Sequence, residues 1–138
     1  MKRLGMRSAV VAVLGAAMVA FSTTTVANNN ADDPTVKQIM QRANGKEGLC
    51  KGIGAGLKLK EPKWDDLQAK AKELVPLAQA MTKNKPPKGD AASWKKLSEG
   101  YATAAVDLEK AAAAKDAKGA DAAMKVLSDC KTCHTLHK

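Results

Sequence analysis

Aromatic residues are nearly missing: the 138-residue chain has two Trp, one Tyr and one Phe. That scarcity disfavours an all-β sandwich, whose strands draw on aromatic and β-branched side chains. No segment alternates convincingly with period two, and no internal repeat is visible. No nucleophile–base pair, paired carboxylate site or phosphate-binding loop appears, so an enzyme is not expected. Cysteine and histidine number only three and two, so their positions carry more information than their number. What is abundant is Ala, with Lys and Leu also frequent, residues that favour helices. An apolar fraction of 45% is too high for a disordered chain, and the length suits one domain.

The N-terminus reads as a secretory signal. Lys2, Arg3 and Arg7 form a basic start, and Ala9 to Phe21 is an apolar run broken only by Gly15. Thr25 and Ala27 are small residues at the spacing a signal peptidase reads. The run has 13 residues, against about 20 needed to span a bilayer, so no stable membrane anchor is expected. Cleavage after Ala27 assigns residues 1–27 to the signal and 28–138 to the mature domain, with 20 Lys+Arg against 14 Asp+Glu. A basic balance can mean nucleic acid, but export and the lack of an aromatic-interleaved basic patch argue against it. The lysines are spread along the chain, as on solvated helix faces.

Four helical segments are expected. Asp33 and Pro34 look like a cap and first helical residue, followed by Val36, Ile39, Met40 and Ala43 at helical spacing. Glycines from Gly45 onward are weak points where this helix can break. Glu61-Pro62 opens a second helix with the stripe Leu67, Ala71, Leu74, Ala78 and Met81, in which Pro76 should cause a kink. The run KNKPPKG, Lys83 to Gly89, is a loop. Asp90 caps a third helix with the stripe Trp94, Leu97, Tyr101, Ala104, Ala105 and Leu108. After a turn at Lys115 to Gly119, a fourth helix carries Ala123, Val126, Leu127, Cys130, Cys133 and His134. Short loops between amphipathic helices suggest an all-α, antiparallel up-down four-helix bundle. Alanine-rich faces leave space within such a bundle, a weak hint of a cofactor.

Cys130-Lys131-Thr132-Cys133-His134 is C-x-x-C-H, the attachment signature for c-type haem. Positions i, i+3 and i+4 share one helical face. Both thiols can therefore reach the two vinyl groups of one porphyrin, and the imidazole can face the iron. One haem c, covalent through Cys130 and Cys133, is the expected cofactor, with His134 as proximal ligand. Competing readings are a thiol redox pair, which usually starts a helix in a βαβ context, and half of a zinc site. Cys50 and His137 are the only other Cys or His ligand candidates, and they form no recognised zinc spacing.

The mature chain resembles the class II cytochromes c, the cytochrome c-prime group. The specific match is CKTCHTLHK at the end; VKQIMQRANGKEGL and PPKGDAASWKK are suggestive. The resemblance implies an exported four-helix bundle with its C-terminal covalent haem motif. The family commonly follows the motif with an aromatic and an arginine, where this chain has His137 and Lys138. The resemblance also implies two branches: high-spin members leave the sixth iron position open and bind gases, and low-spin members fill it with methionine. KQIMQRANG resembles the low-spin pattern, with Met40 at the ligand position. In an up-down bundle, the start of the first helix and the end of the fourth lie at the same end, which is compatible with Met40 facing His134. Met81 is the competing ligand, and Met40 as plain core is the simpler alternative.

The function implied is one-electron transfer by a periplasmic, non-enzymatic carrier; the alternative is a gas-binding protein with an open distal site. Lys83, Lys85, Lys88, Lys131 and Lys138 map to the haem end and could dock an acidic redox partner. A homodimer is plausible for such bundles. Cys50 reads as a small buried residue, Trp94 as porphyrin packing or core, and His137 as a surface residue. Tyr101 receives no role.

Overall fold

The computed structural model describes residues 33–138. The expected signal, residues 1–27, lies outside the described residues. Among the described residues there are six helices: α1 (Val36–Asn44), α2 (Leu49–Leu57), α3 (Trp64–Lys83), α4 (Ala91–Ala113), α5 (Ala117–Leu127) and α6 (Cys130–His137). Among the described residues there is no strand. The six segments fall on the four expected helices, the first and the fourth each being broken in two.

The cap of α1 is Thr35, not Asp33. The Thr35 hydroxyl accepts the Gln38 N–H at 3.4 Å, and the Gln38 side-chain oxygen accepts the Thr35 N–H at 2.8 Å. This reciprocal box satisfies two donors at once, an advantage the Asp33-Pro34 pair lacks. The break between α1 and α2 depends on glycine. A Cβ at Gly48 would lie 2.7 Å from the Ala43 carbonyl oxygen, and one at Gly45 would collide with the Gln41 carbonyl.

α3 starts at Trp64, two residues beyond the expected Pro62, and runs through the exposed Pro76 without a break. Its expected stripe is fully buried, Leu67 through Met81. α4 starts as expected, with the Asp90 carboxylate accepting the Ser93 N–H at 2.8 Å. It ends on Lys115 at φ 56°, with the Lys115 N–H on Ala112 O and the Asp116 N–H on Ala111 O. That is a Schellman turn in which lysine occupies the position usually given to glycine.

The fourth helix does not continue into the C-x-x-C-H motif. α5 stops at Leu127, and Asp129 caps a new helix by accepting the Thr132 N–H at 3.3 Å and its hydroxyl at 2.7 Å. Val126, expected on the buried stripe, is 52% exposed beside this break.

α3 packs on α4, α4 on α5 and α6, α2 on α3 and α5, and α1 on α2 and α3. The larger buried cluster is built on Ile53, Leu67, Leu74, Leu108 and Leu127 with many alanines. A smaller cluster joins Ile39, Leu77, Ala80, Met81 and Trp94, with Met40 and Cys133 packed against it. Asn84 ties this end together. Its side-chain N–H groups donate to Pro34 O at 3.0 Å and Ala80 O at 2.9 Å, while its carbonyl accepts the Trp94 indole N–H at 2.7 Å. Among the described residues, no helix is long and apolar enough to cross a membrane.

Candidate functional site

A largely apolar cavity of about 940 Å³ opens between α1, α4 and α6. Val36 and Met40 line it from α1, Trp94, Leu97 and Tyr101 from α4, and Cys130, Cys133 and His134 from α6. The four expected site residues therefore border one space. Met40 and Cys133 are half-buried, whereas Cys130 and His134 are exposed. Met81, the competing methionine, also reaches the cavity but is buried in the smaller cluster. Pockets that bury a small molecule or cofactor typically hold about 300–1,000 Å³ and are mainly apolar, with few polar groups. This cavity fits that description.

No protein-family model, curated protein or solved structure matches the chain. The chemistry of the site therefore rests on its own residues.

All three cysteines are free thiols. Partial burial raises the Cys133 thiol above its usual range, and the nearby Cys130 adds to the rise. The motif starts its own helix rather than ending a longer one, so helix position does not argue against the redox reading. The lack of any strand among the described residues does, since a redox C-x-x-C usually starts a helix in a βαβ context. Nor do any three His, Cys, Asp or Glu side chains among the described residues converge as metal ligands, which leaves the zinc reading without a third donor. Two thiols, an imidazole and a thioether around an apolar space suit a large planar group carrying its own metal.

Asp129 holds the motif helix in place. Its carboxyl lies below the usual range because the Thr132 hydroxyl and N–H donate to it. Such a cap acts fully above the ordinary carboxylate range and is lost as pH falls through the lowered value.

Three residues carry more than the sequence assigned them. His137 is buried, not a surface residue: it is 3% exposed. Its Nδ1 lies 2.8 Å from Lys88 O, and Nε2 lies 3.0 Å from Ser93 Oγ. Its ring meets Trp94 edge-on, with centroids 5.3 Å apart. A carbonyl only accepts, so Nδ1 donates its proton to Lys88 O. The loop that covers His137 comes from 49 residues earlier, so no local pattern announced its burial.

Asn44 and Tyr101 form the second feature. The Asn44 side-chain N–H groups donate to Tyr101 Oη at 2.9 Å and approach Met40 Sδ at 3.8 Å. Cys50 Sγ lies 3.9 Å from the same hydroxyl. Burial raises the Tyr101 phenol strongly, so it stays protonated, and burial likewise raises the Cys50 thiol. Cys50 is 6% exposed, in line with a small buried residue. The sequence did carry a signal for Asn44: it follows Met40 by four positions, on the same helical face.

Proposed function

We propose that the chain is an exported monohaem c-type cytochrome that transfers single electrons, built as an antiparallel up-down four-helix bundle. Its main support is the convergence of the C-x-x-C-H side chains and Met40 on one apolar cavity. In this reading Cys130 and Cys133 hold the porphyrin as thioethers, and His134 and Met40 are the axial ligands. The bound haem would supply the Fe(III)/Fe(II) couple. The chain's own part is to orient the two ligands and exclude water. Val36, Trp94, Leu97 and Leu127 provide the apolar wall. Thioether ligation and burial both favour the reduced state and raise the potential. Val126, 52% exposed and lining the cavity, would gain apolar cover from the group. The basic start and short apolar run at residues 1–27 support delivery to the periplasm.

Absorption spectra of the matured protein, ferric and ferrous, test this beside Met40→Ala. The expected spectrum is low-spin and indifferent to carbon monoxide, turning high-spin on mutation. A high-spin spectrum with ready carbon monoxide binding, unchanged by the mutation, would leave Met40 as core and make gas binding the function.

An acidic redox partner is the proposed docking target. Lys83, Lys85, Lys88, Lys131 and Lys138 are all exposed. Lys83 lies 3.5 Å from Asp33, and the Lys88 ammonium donates to Lys138 O at 3.1 Å. Surface pairs of this kind cost little to open. Electron-transfer rates to an acidic partner should fall as salt rises, since screening shortens the reach of the lysines. A flat salt dependence would remove the docking face.

A further inference from the structure

The cavity wall contributed by α1 carries a polar cluster that haem attachment does not require. Met40, Asn44, Tyr101 and Cys50 bring a thioether, an amide, a phenol and a thiol together in otherwise apolar surroundings. Asn44 is the central member. Its amide nitrogen has two protons and two acceptors within reach: Tyr101 Oη at 2.9 Å and Met40 Sδ at 3.8 Å. The amide orientation follows from chemistry. A thioether sulfur cannot donate, so the N–H side of the amide, not its oxygen, belongs against Met40.

The backbone keeps Asn44 in place. It is the last residue of α1, and Gly45 closes the helix with its N–H on Gln41 O at 3.1 Å. Tyr101 approaches from α4, so the cluster links two helices 57 residues apart in sequence. The phenol cannot easily ionise at this depth, which keeps it available as a neutral partner.

We infer that Asn44 is the positioning residue of the Met40 thioether, with Tyr101 fixing the amide from behind. This rests on Met40 being a haem ligand. Sulfur has two lone pairs. An N–H directed at one of them restrains the side chain's rotation and leaves the other for a metal. Methionine is the most flexible apolar side chain, so restraint has a large effect on how long it stays in position. Groups that orient a metal ligand typically change affinity or activity by about 10–100-fold when removed. The same contact draws electron density from sulfur, which favours the reduced iron.

The test compares the haem-loaded protein with Asn44→Leu, which keeps volume but removes the N–H, and with Tyr101→Phe, which removes only the partner of Asn44. Three readouts are used: the reduction potential, the rate of carbon monoxide binding to the ferrous form, and the methyl NMR signal of ¹³C-labelled Met40. In Asn44→Leu the carbon monoxide rate should rise about tenfold or more, the potential should fall, and the Met40 methyl line should broaden or split. Tyr101→Phe should move all three in the same direction by less, and it carries the test alone should Asn44→Leu fail to fold. Unchanged potential, rate and line shape in both folded variants would overturn the positioning role while leaving Met40 as ligand. If Met40→Ala leaves the parent spectrum unchanged, Met40 is not a ligand and both the ligation and the positioning role fall.

Discussion

Replacing both Cys130 and Cys133 with serine is expected to abolish covalent haem completely. Produced alongside a haem-maturation system, the parent should be heavier than its mature chain by one whole haem. Addition of each S–H across a vinyl double bond places sulfur on one carbon and hydrogen on the other. No atom leaves and no electron acceptor is needed. The double variant should have the mass of the unmodified chain, and its red colour should not survive denaturation and separation. Thiol counting gives an independent check. Of the three free thiols in the chain, only Cys50 should be alkylated in the denatured, haem-loaded parent. Three alkylated thiols and an unmodified mass in the parent would return the motif to a dithiol or a metal ligand pair. The exposure of Cys130 and the partial exposure of Cys133 leave both sulfurs open to a maturation enzyme. The buried Cys50 is not comparably open.

His137→Ala should be the most destabilising single substitution in α6, by about 2–4 kcal/mol. The ring's removal leaves Lys88 O without its donor, leaves the Ser93 hydroxyl with Asp90 O alone, and deletes the edge contact with Trp94. An unsatisfied buried acceptor alone costs about 1–3 kcal/mol, and an aromatic pair adds about 0.5–1.5 kcal/mol. For a domain of this size, the loss corresponds to about 9–18 °C in Tm. His137→Phe should recover the Trp94 contact but not the Lys88 bond. His137→Asn should recover part of the bond but not the ring contact. Both should fall between parent and alanine in thermal unfolding of the haem-loaded protein. Equal stability of all four proteins would show that the C-terminal clamp is not holding α6.

The clamp is more than one side chain. Gly89 adopts φ +83° directly against α6; a Cβ there would collide with Leu136 O and sit 3.0 Å from His137 Nδ1. The loop Asn84–Asp90 therefore lies close over the C-terminus. The same loop reaches the start of α1 through Asn84 and Pro34. One connection thus braces the segments bearing His134 and Met40, the two proposed ligands.

Much of this was legible locally. Periodicity placed the α3 stripe, every member of which is buried, because one face of a helix can be read from spacing alone. Asp90 declared the start of α4 through cap chemistry. C-x-x-C-H put Cys130, Cys133 and His134 within one helical turn, and all three line the cavity. The Thr35–Gln38 box is equally local, and its two reciprocal bonds outweigh the cap-then-proline pattern of Asp33-Pro34.

Other features depend on contacts between distant residues. The split at Ser128–Asp129 comes from Asp129 capping a new helix, a choice that apolar spacing across the break does not reveal. Val126 is exposed because that break ends its helix beside an open cavity. His137 is buried because a loop 49 residues away supplies its acceptor and its covering glycine. Asn44 meets Tyr101 only because α1 and α4 share one cavity wall. Sequence by itself determined helix content, the apolar faces and the C-x-x-C-H spacing, since each is encoded within a few turns of chain. Tertiary structure alone decided which polar groups met, because hydrogen bonds between remote residues form only once the helices have packed.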